Sequence, residues 1–261
     1  MIQKSILLGF LITHFEYTLR LIGRRKFLGL FTASLVSVTI PAAEGYFNTQ
    51  KLQLTRLDLE IGGKAVLIVD THLHSFEKIH EKLLEIIIDK EPDIIMLGGD
   101  LIDEYTPDIE LLSGFLSSLD SKWKVAVLGN HEYWSGNASS VISLLRKKGF
   151  VVLKDSFIHT PFGRIYGVDW RDDRKYNSFV AEGIVLTHDP NAASGISGKC
   201  LVLSGHTHGG VVIGGATLYS NSSYTRGLYK LRDGGMLYVS RGLGQIFPIR
   251  FTSPLELLII E

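Results

Sequence analysis

Cysteine occurs once in 261 residues, at Cys200, so no intrachain disulfide is possible and cysteine usage is silent on the redox compartment. Set within the stretch Lys199 to Ser204, that thiol reads as buried packing in a strand. Surplus charge is missing too: 27 lysines and arginines balance 27 aspartates and glutamates. No strong field draws the chain toward nucleic acid, and no nucleic-acid partner is expected. Neither an internal repeat nor a low-complexity tract occurs, which excludes solenoids and biased disordered arrays. No serine stands in a Gly-x-Ser-x-Gly pattern, so a serine nucleophile at a strand-to-helix elbow is excluded. The apolar run Leu28 to Ile40 falls short of the about 20 residues that a comfortable membrane span needs.

What is present is an arrangement. Hydrophobic residues make up 45% of the chain, enough at this length for one large domain with a substantial core. Five short apolar runs each end in residue types that bind metals. Val66 to Val69 leads to Asp70 and His72, Ile94 to Leu97 to Gly98, Gly99 and Asp100, and Val125 to Leu128 to Gly129, Asn130 and His131. Ile184 to Thr187 leads to His188, and Leu201 to Ser204 to Gly205, His206 and His208. Four-residue apolar runs flanked by turn formers read as buried strands, and open α/β sheets bind ligands beyond the carboxyl ends of such strands. Asp70 and His72, two apart, lie on one side of the chain if it stays extended. Gly98 and Gly99 let the backbone come close to whatever Asp100 holds. Asn130 offers a weak neutral ligand, and His131 beside it is left free of the metals.

Residues 1–45 differ from the rest. Two apolar runs, Ile6 to Ile12 and Leu28 to Ile40, bracket Arg24, Arg25, Lys26, Phe27 and Leu28, and Pro41, Ala42 and Ala43 follow. The pattern resembles a twin-arginine export signal, with Gly23 where serine or threonine is usual. It predicts either passage through the twin-arginine export machinery or retention as a membrane anchor, and hence a protein of the bacterial membrane or envelope. A catalytic domain over 46–261 follows. There, alternation over Leu52 to Ile61 and the turn Gly62, Gly63 suggest a hairpin opening into Ala65 to Val69. Helical spacing of Phe76, Ile79, Leu83, Ile86 and Ile87 up to Pro92, and a helix from Thr106 with Pro107 in its first turn, make successive crossovers between parallel strands. A further helix begins at Ser139 or Ser140 and stops at Gly149. Residues 151–170 fit a second sheet, which Val211 to Glu261 closes. The charged run Arg171 to Lys175 reads as a solvated loop, and Arg241 and Arg250 as surface salt-bridge formers.

Together, Asp70 with His72, Gly99 with Asp100, Gly129 to Glu132, His188, and Gly205 to His208 resemble the calcineurin-like metallophosphoesterase superfamily over roughly residues 55–261, and the leader and ending its exported bacterial phosphodiesterases. The resemblance implies an α/β fold, a four-layer α/β/β/α sandwich with two mixed β-sheets. It implies that Asp70, His72 and His208 hold one divalent ion, that Asn130, His188 and His206 hold a second, and that Asp100 bridges them. Val211 stands where that subgroup often has glutamine. Leu101, Ile102, Asp103 and Glu104 lack the Arg-Gly of protein Ser/Thr phosphatases and put Asp103 where purple acid phosphatases carry a tyrosine. Mixed nitrogen and oxygen ligands suit Mn²⁺, Fe²⁺ or Zn²⁺ better than Ca²⁺ or Mg²⁺. The expected reaction is hydrolysis of a phosphodiester by a hydroxide held between the ions, with His131 as proton donor to the leaving oxygen. The alternative is the pyrophosphate of a nucleotide-linked lipid precursor such as UDP-2,3-diacylglucosamine. A metal carrier or a metal-free scaffold on the same fold are the non-enzymatic readings.

Overall fold

The computed structural model describes residues 23–59 and 61–261; the first apolar run, Ile6 to Ile12, lies outside them. The chain divides into two compact units, 1–44 and 45–261.

In the first unit, helix starts at Arg24 and continues to Asn48 in the second, with Pro41 inside it. Leu28, Phe31, Leu35, Val38 and Ile40 are all exposed. Apolar side chains all round a helix suit a nonpolar surrounding rather than water. The expectation of a run too short to span is corrected here. Helical structure continues past Ile40 through small and apolar residues, so Arg25–Asn48, 24 residues of mean hydropathy 1.5, is long and apolar enough to cross a membrane.

The second unit is built on two six-stranded mixed sheets. The first runs, edge to edge, Leu52–Leu57, Leu255–Ile260, Ala65–Ile68, Ile94–Leu97, Trp123–Ala126, Val151–Val152. Ala65–Ile68, Ile94–Leu97 and Trp123–Ala126 lie parallel in register, Ile68 opposite Leu97 and Leu97 opposite Ala126. The helices Lys78–Lys90 and Ile109–Ser117 supply the crossovers. Side chains alternate across a strand, so a fully apolar strand can feed two cores at once. Ile95 and Leu97 pack outward against Leu83, Ile87, Leu112, Phe115 and Leu116 of these helices. Ile94 and Met96 pack inward with Leu67, Val125, Val127, Ile184, Leu186, Leu201 and Leu203 between the sheets. The second sheet runs Gly227–Lys230, Met236–Val239, Cys200–Ser204, Gly183–Thr187, Gly163–Val168, Ser156–Thr160. Its outer side chains Val185, Val202, Leu237 and Val239 pack with Ala192, Ala193 and Ile196. The fourth layer is thus the 3₁₀ turn Pro190–Gly195 and a short two-stranded ribbon, Phe179–Val180 with Ile196–Ser197. The fold is the expected α/β sandwich.

Five expectations about its elements are corrected. Leu52–Leu57 forms no hairpin with Ala65–Ile68; Leu255–Ile260 lies between them, parallel to the former and antiparallel to the latter. That six-residue strand is buried on both faces, and a central place in the first sheet gives its backbone a partner on each side. It therefore does not close the second sheet. Val151–Val152 likewise joins the first sheet, beside Trp123–Ala126. The helix expected from Thr106 begins at Ile109, because Asp108 caps it by accepting from the Glu110 N–H. The next begins at Ala138, after Asn137.

Glu256, buried on the inserted strand, ties the sheets together. Its carboxylate accepts from Tyr238 Oη (2.7 Å), from Arg241 N (2.9 Å) and Nη2 (2.9 Å), and from Thr55 Oγ1. Burial opposes its ionisation, but the Arg241 guanidinium wins and holds the carboxyl below the usual glutamate range. Glu256→Gln should cost about 2–3 kcal/mol, since hydrogen bonds to a charged group are worth about 1.5–3 kcal/mol, lowering Tm by roughly 5–10 °C. A group with a depressed folded pKa stabilises fully above its unfolded value, about 4.3 for glutamate, and loses that contribution as pH falls through the folded value. The gap between wild type and variant in thermal melts should therefore close on acidification below about pH 4.

Candidate metal centre

All five apolar runs end on one edge of the sandwich, and their terminal side chains meet there. Ala65–Ile68 and Ile94–Leu97 deliver Asp70 and Asp100; Gly183–Thr187 and Cys200–Ser204 deliver His188, His206 and His208; Trp123–Ala126 leads to Asn130, the first residue of the short helix Asn130–Trp134. The approach is close. A Cβ on Gly99 (φ +91) would stand 2.3 Å from Gly129 N, and one on Gly129 would stand 2.2 Å from Asp100 Oδ1, so side chains at either place would push the two loops apart.

The reading that Asp70 and His72 share a side of an extended chain is corrected. Asp70 has φ 52° and His72 φ 40°, and the chain turns at both. Asp100, His206 and His208 are also left-handed, with φ 50°, 72° and 50°. Left-handed backbone costs a non-glycine residue of order 1–3 kcal/mol and gathers at functional sites. Five of the seven expected ligands carry it. The backbone is bent here to aim side chains, and surrounding bonds hold it. Asp70 Oδ1 and Oδ2 both lie 3.0 Å from His206 N, which donates to the carboxylate, and Asp100 Oδ1 accepts from His131 N at 2.9 Å.

Three histidines are oriented from outside. His72 Nδ1 donates to Asp103 Oδ2 (2.9 Å), His188 Nδ1 to the Gly98 carbonyl (2.9 Å) and His208 Nδ1 to the Gly244 carbonyl (3.0 Å). Each such bond leaves Nε2 for the inside, the usual arrangement of a metal-binding imidazole. His188 Nε2 lies 3.0 Å from Asp100 Oδ2, 3.1 Å from Asn130 Oδ1 and 3.1 Å from His206 Nδ1. Buried His72 Nε2 has no hydrogen-bond partner, its closest carboxylate oxygen being Asp100 Oδ2 at 3.8 Å.

Charge follows geometry. Burial alone would lower the His188 pKa, yet the Asp100 carboxylate raises it to about 10. Burial, with His188 as a positive neighbour, brings His206 down to about 3, and burial with His72 beside it lowers His208. His206 and His208 therefore keep their lone pairs. Asp100 is held well below the carboxylate range; burial opposes this, but His188 and His72 outweigh it.

These residues fit divalent cations. Ligand atoms of Asp70, His72 and His208 lie within 4.8 Å of one another, as do those of Asp100, His188 and His206. His72, Asp100 and His131 make a third such group, so His131 stands against the cluster. Its Nδ1 is taken by Glu104 Oε2 at 2.7 Å, and its ring lies 5.0 Å from that of His72 and 5.3 Å from that of Trp134.

Several residues of the site had no expected role. Buried Glu132 accepts from Gly129 N (2.8 Å), Asp100 N (3.0 Å), Leu101 N (2.6 Å) and Ile102 N (3.3 Å), joining the Asp100 and Asn130 loops. Its place three residues after Gly129, at the start of a helix, was the available signal. The charged run at 171–175 is only partly a solvated loop: Arg174 Nε donates to buried Asp189 at 2.7 Å, and Asp172 Oδ1 accepts from the indoles of Trp134 (3.0 Å) and Trp170 (2.8 Å). The Trp170 ring lies 5.1 Å from that of His206, tilted 49° to it. The surface role expected of Arg241 and Arg250 is also corrected. Arg241 pairs with buried Glu256. Arg250 is itself buried and donates to the carbonyls of Ser253 (2.8 Å), Gly244, Arg241 and His208, bracing the His208 loop. Five donors in a fixed fork suit that many carbonyls.

Asp103 also accepts from His74 Nε2 (2.7 Å) and Tyr105 N (2.8 Å). Asp103→Asn keeps the shape but weakens the grip on the His72 tautomer. Metal affinity, measured by chelator competition, should fall about 10-fold, at the lower end of the 10–100-fold typical of outer partners.

Residues 64–210 match the family model described as calcineurin-like phosphoesterase. An uncharacterized metallophosphoesterase of Aquifex aeolicus is 30% identical over 88% of this chain and 97% of its own length. An uncharacterized metallophosphoesterase of Helicobacter pylori is 30% identical over 79% of this chain, which spans only 60% of that relative. A transmembrane protein with metallophosphoesterase domain from Danio rerio is 25% identical over 75% of this chain and 52% of its own length. The fold and the clustered ligands define a metal-binding α/β sandwich. With these matches, the chain belongs to the calcineurin-like phosphoesterase family.

Proposed function

We propose that the protein is a metal-dependent hydrolase that cleaves a phosphodiester at a site for two divalent ions, Mn²⁺, Fe²⁺ or Zn²⁺. One observation carries this reading: imidazole lone pairs and carboxylates from separate strand ends converge, with buried His72 Nε2 aimed inward and unpartnered. Asp70, His72 and His208 would hold one ion and Asn130, His188 and His206 the other, with Asp100 between them. Bound there, divalent ions supply the Lewis acidity that lowers the pKa of water toward neutrality and clamps phosphoryl oxygens. The chain's own residues do the rest. His131 protonates the leaving oxygen, Glu104 holds the His131 ring by Nδ1, and Trp134 and Trp170 wall the side of the site that His131 and His206 occupy.

The helix Arg25–Asn48 and the relative named as a transmembrane protein support a membrane-proximal phosphodiester as substrate. Hydrolysis of a panel of diesters and pyrophosphates with Mn²⁺ added tests the reading. Metal bound without turnover of any of them would make the protein a metal carrier, and preference for a nucleotide-linked pyrophosphate would make it a pyrophosphatase. On the reading that the N-terminal segment is an export signal of the bacterial envelope, replacing Arg24 and Arg25 by lysine should shift most of the protein from the membrane and envelope fractions to the cytosol. Unchanged fractionation would leave the helix as a plain anchor.

A further inference from the structure

Beside the metal centre, the second unit presents apolar surface in quantity. Phe247 is 73% exposed, Leu218 and Tyr219 66% each. In water such side chains gain by being covered, and a contiguous group of them marks a binding surface. Tyr219 and Phe247 border a cleft of about 300 Å³, lined also by His208, Val211, Ile249 and Phe251, among others, a volume at the lower end of small-molecule sites. His208 belongs also to the cluster of Asp70 and His72, so the cleft adjoins the metal centre at that residue; Thr207, Asn221, Gln245, Arg250 and Ser253 line it beside the apolar side chains.

A second, independent observation concerns the cleft's other side. Gly45 lies so close to Ile249 and Phe251 that a Cβ there would meet Ile249 Cγ2 at 2.6 Å and the Phe251 ring at 3.3 Å. Arg250 N donates to the Gly45 carbonyl at 2.9 Å, and Asn48 Nδ2 to the Arg250 carbonyl at 3.0 Å. The wall of the cleft is thus fastened to the end of the helix that is long and apolar enough to cross a membrane. Ile40 precedes Gly45 by five residues, which even fully extended reach no more than about 18 Å. A bilayer that held the chain up to Ile40 would therefore end no more than that length of chain from Gly45.

We infer that the cleft receives an acyl chain of a membrane lipid whose phosphoester group lies at the metal centre. The inference rests on the phosphoesterase reading and narrows its substrate to a lipid. A phosphoryl site beside a largely apolar cleft matches an amphiphile with its charge at one end, and a soluble diester would leave Tyr219, Phe247 and Ile249 uncovered.

Binding of n-alkyl phosphates from butyl to decyl, kept below their micellar concentrations, tests this by calorimetry on the full chain held in amphipol with Mn²⁺. Each methylene seated in the cleft should tighten binding about fourfold, the equivalent of about 0.8 kcal/mol. In Phe247→Ser/Ile249→Ser the increment should fall below about 1.5-fold, metal content reporting that the site is still folded; Tyr219→Ser serves if the double variant loses its metal. No increment in the wild type, or a full increment in the variants, overturns the inference. So does a change from dimer to monomer in the double variant with no increment in the wild type, which assigns the face to a second copy of the chain. Increments without hydrolysis of any ester would sink the phosphoesterase reading and leave the cleft standing; hydrolysis of soluble diesters with a flat series would do the reverse.

Discussion

Asp100→Asn should strip the protein of at least one bound ion and abolish most hydrolysis, for reasons that lie in charge rather than shape. The asparagine oxygen can still accept from His131 N, as Asp100 Oδ1 does at 2.9 Å, and the approach of Gly99 to Gly129 needs only backbone. What goes is one of two carboxylates in a cluster otherwise made of four imidazoles and an amide: Asp70 is left alone with His72, His188, His206, His208 and Asn130. Asp100 Oδ2 is also the group nearest both halves, 3.0 Å from His188 Nε2 and 3.8 Å from His72 Nε2. Losing an outer partner of a ligand costs about 10–100-fold in metal affinity or activity; losing the carboxylate shared by both halves should exceed that. Metal analysis of purified wild type and variant checks it. Two ions per chain in both proteins would mean that Asp100 is not between the ions.

That these side chains would meet was legible in the sequence because each follows a short apolar run, and parallel strands line up their ends. The pattern Ile94 to Leu97, Gly98, Gly99, Asp100 contains the strand, the close approach and the carboxylate in order. How the loops turn was not legible. Asp70, His72, Asp100, His206 and His208 adopt left-handed backbone, which aspartate and histidine rarely announce and which only the contacts around them impose. Spacing also failed to separate the tasks of Asp103 and Glu104, neighbours in sequence. The turn closed by Tyr105 N on Asp103 Oδ1 accompanies Asp103 meeting His72 and Glu104 meeting His131.

Strand order was the other blind spot. Leu255–Ile260 reads as a buried strand and nothing in its periodicity names a sheet; either would bury it. Its place beside Ala65–Ile68 follows from pairing needs and from Glu256, whose partners come from Thr55 on one flank and Tyr238 and Arg241 on the other. Such long-range partners leave no local mark. For the same reason Arg250, held by four carbonyls, looked from its neighbours like a surface residue.

His131→Asn should lower turnover by about 10² to 10⁴, the usual worth of a positioned proton donor, while metal content stays at the wild-type level. The geometry separates these two effects. His131 N, a backbone group, holds Asp100 Oδ1, and the variant keeps it. The imidazole, by contrast, has Nδ1 on Glu104 Oε2 at 2.7 Å and lies against His72, 5.0 Å between ring centres. That leaves Nε2 as its free nitrogen, beside the cluster, to give a proton to a departing oxygen. Glu104→Gln should act in the same direction but by about tenfold only, since it loosens the ring's orientation and removes no proton donor; a hydrogen bond to a charged group is worth about 1.5–3 kcal/mol at most. A substrate with a good leaving group, such as a nitrophenyl ester, needs little help from an acid, so its hydrolysis should fall much less than that of an alkyl diester. Equal losses on both substrates, or loss of metal in the variant, would move His131 from proton donor to metal ligand, the role that its grouping with His72 and Asp100 also permits.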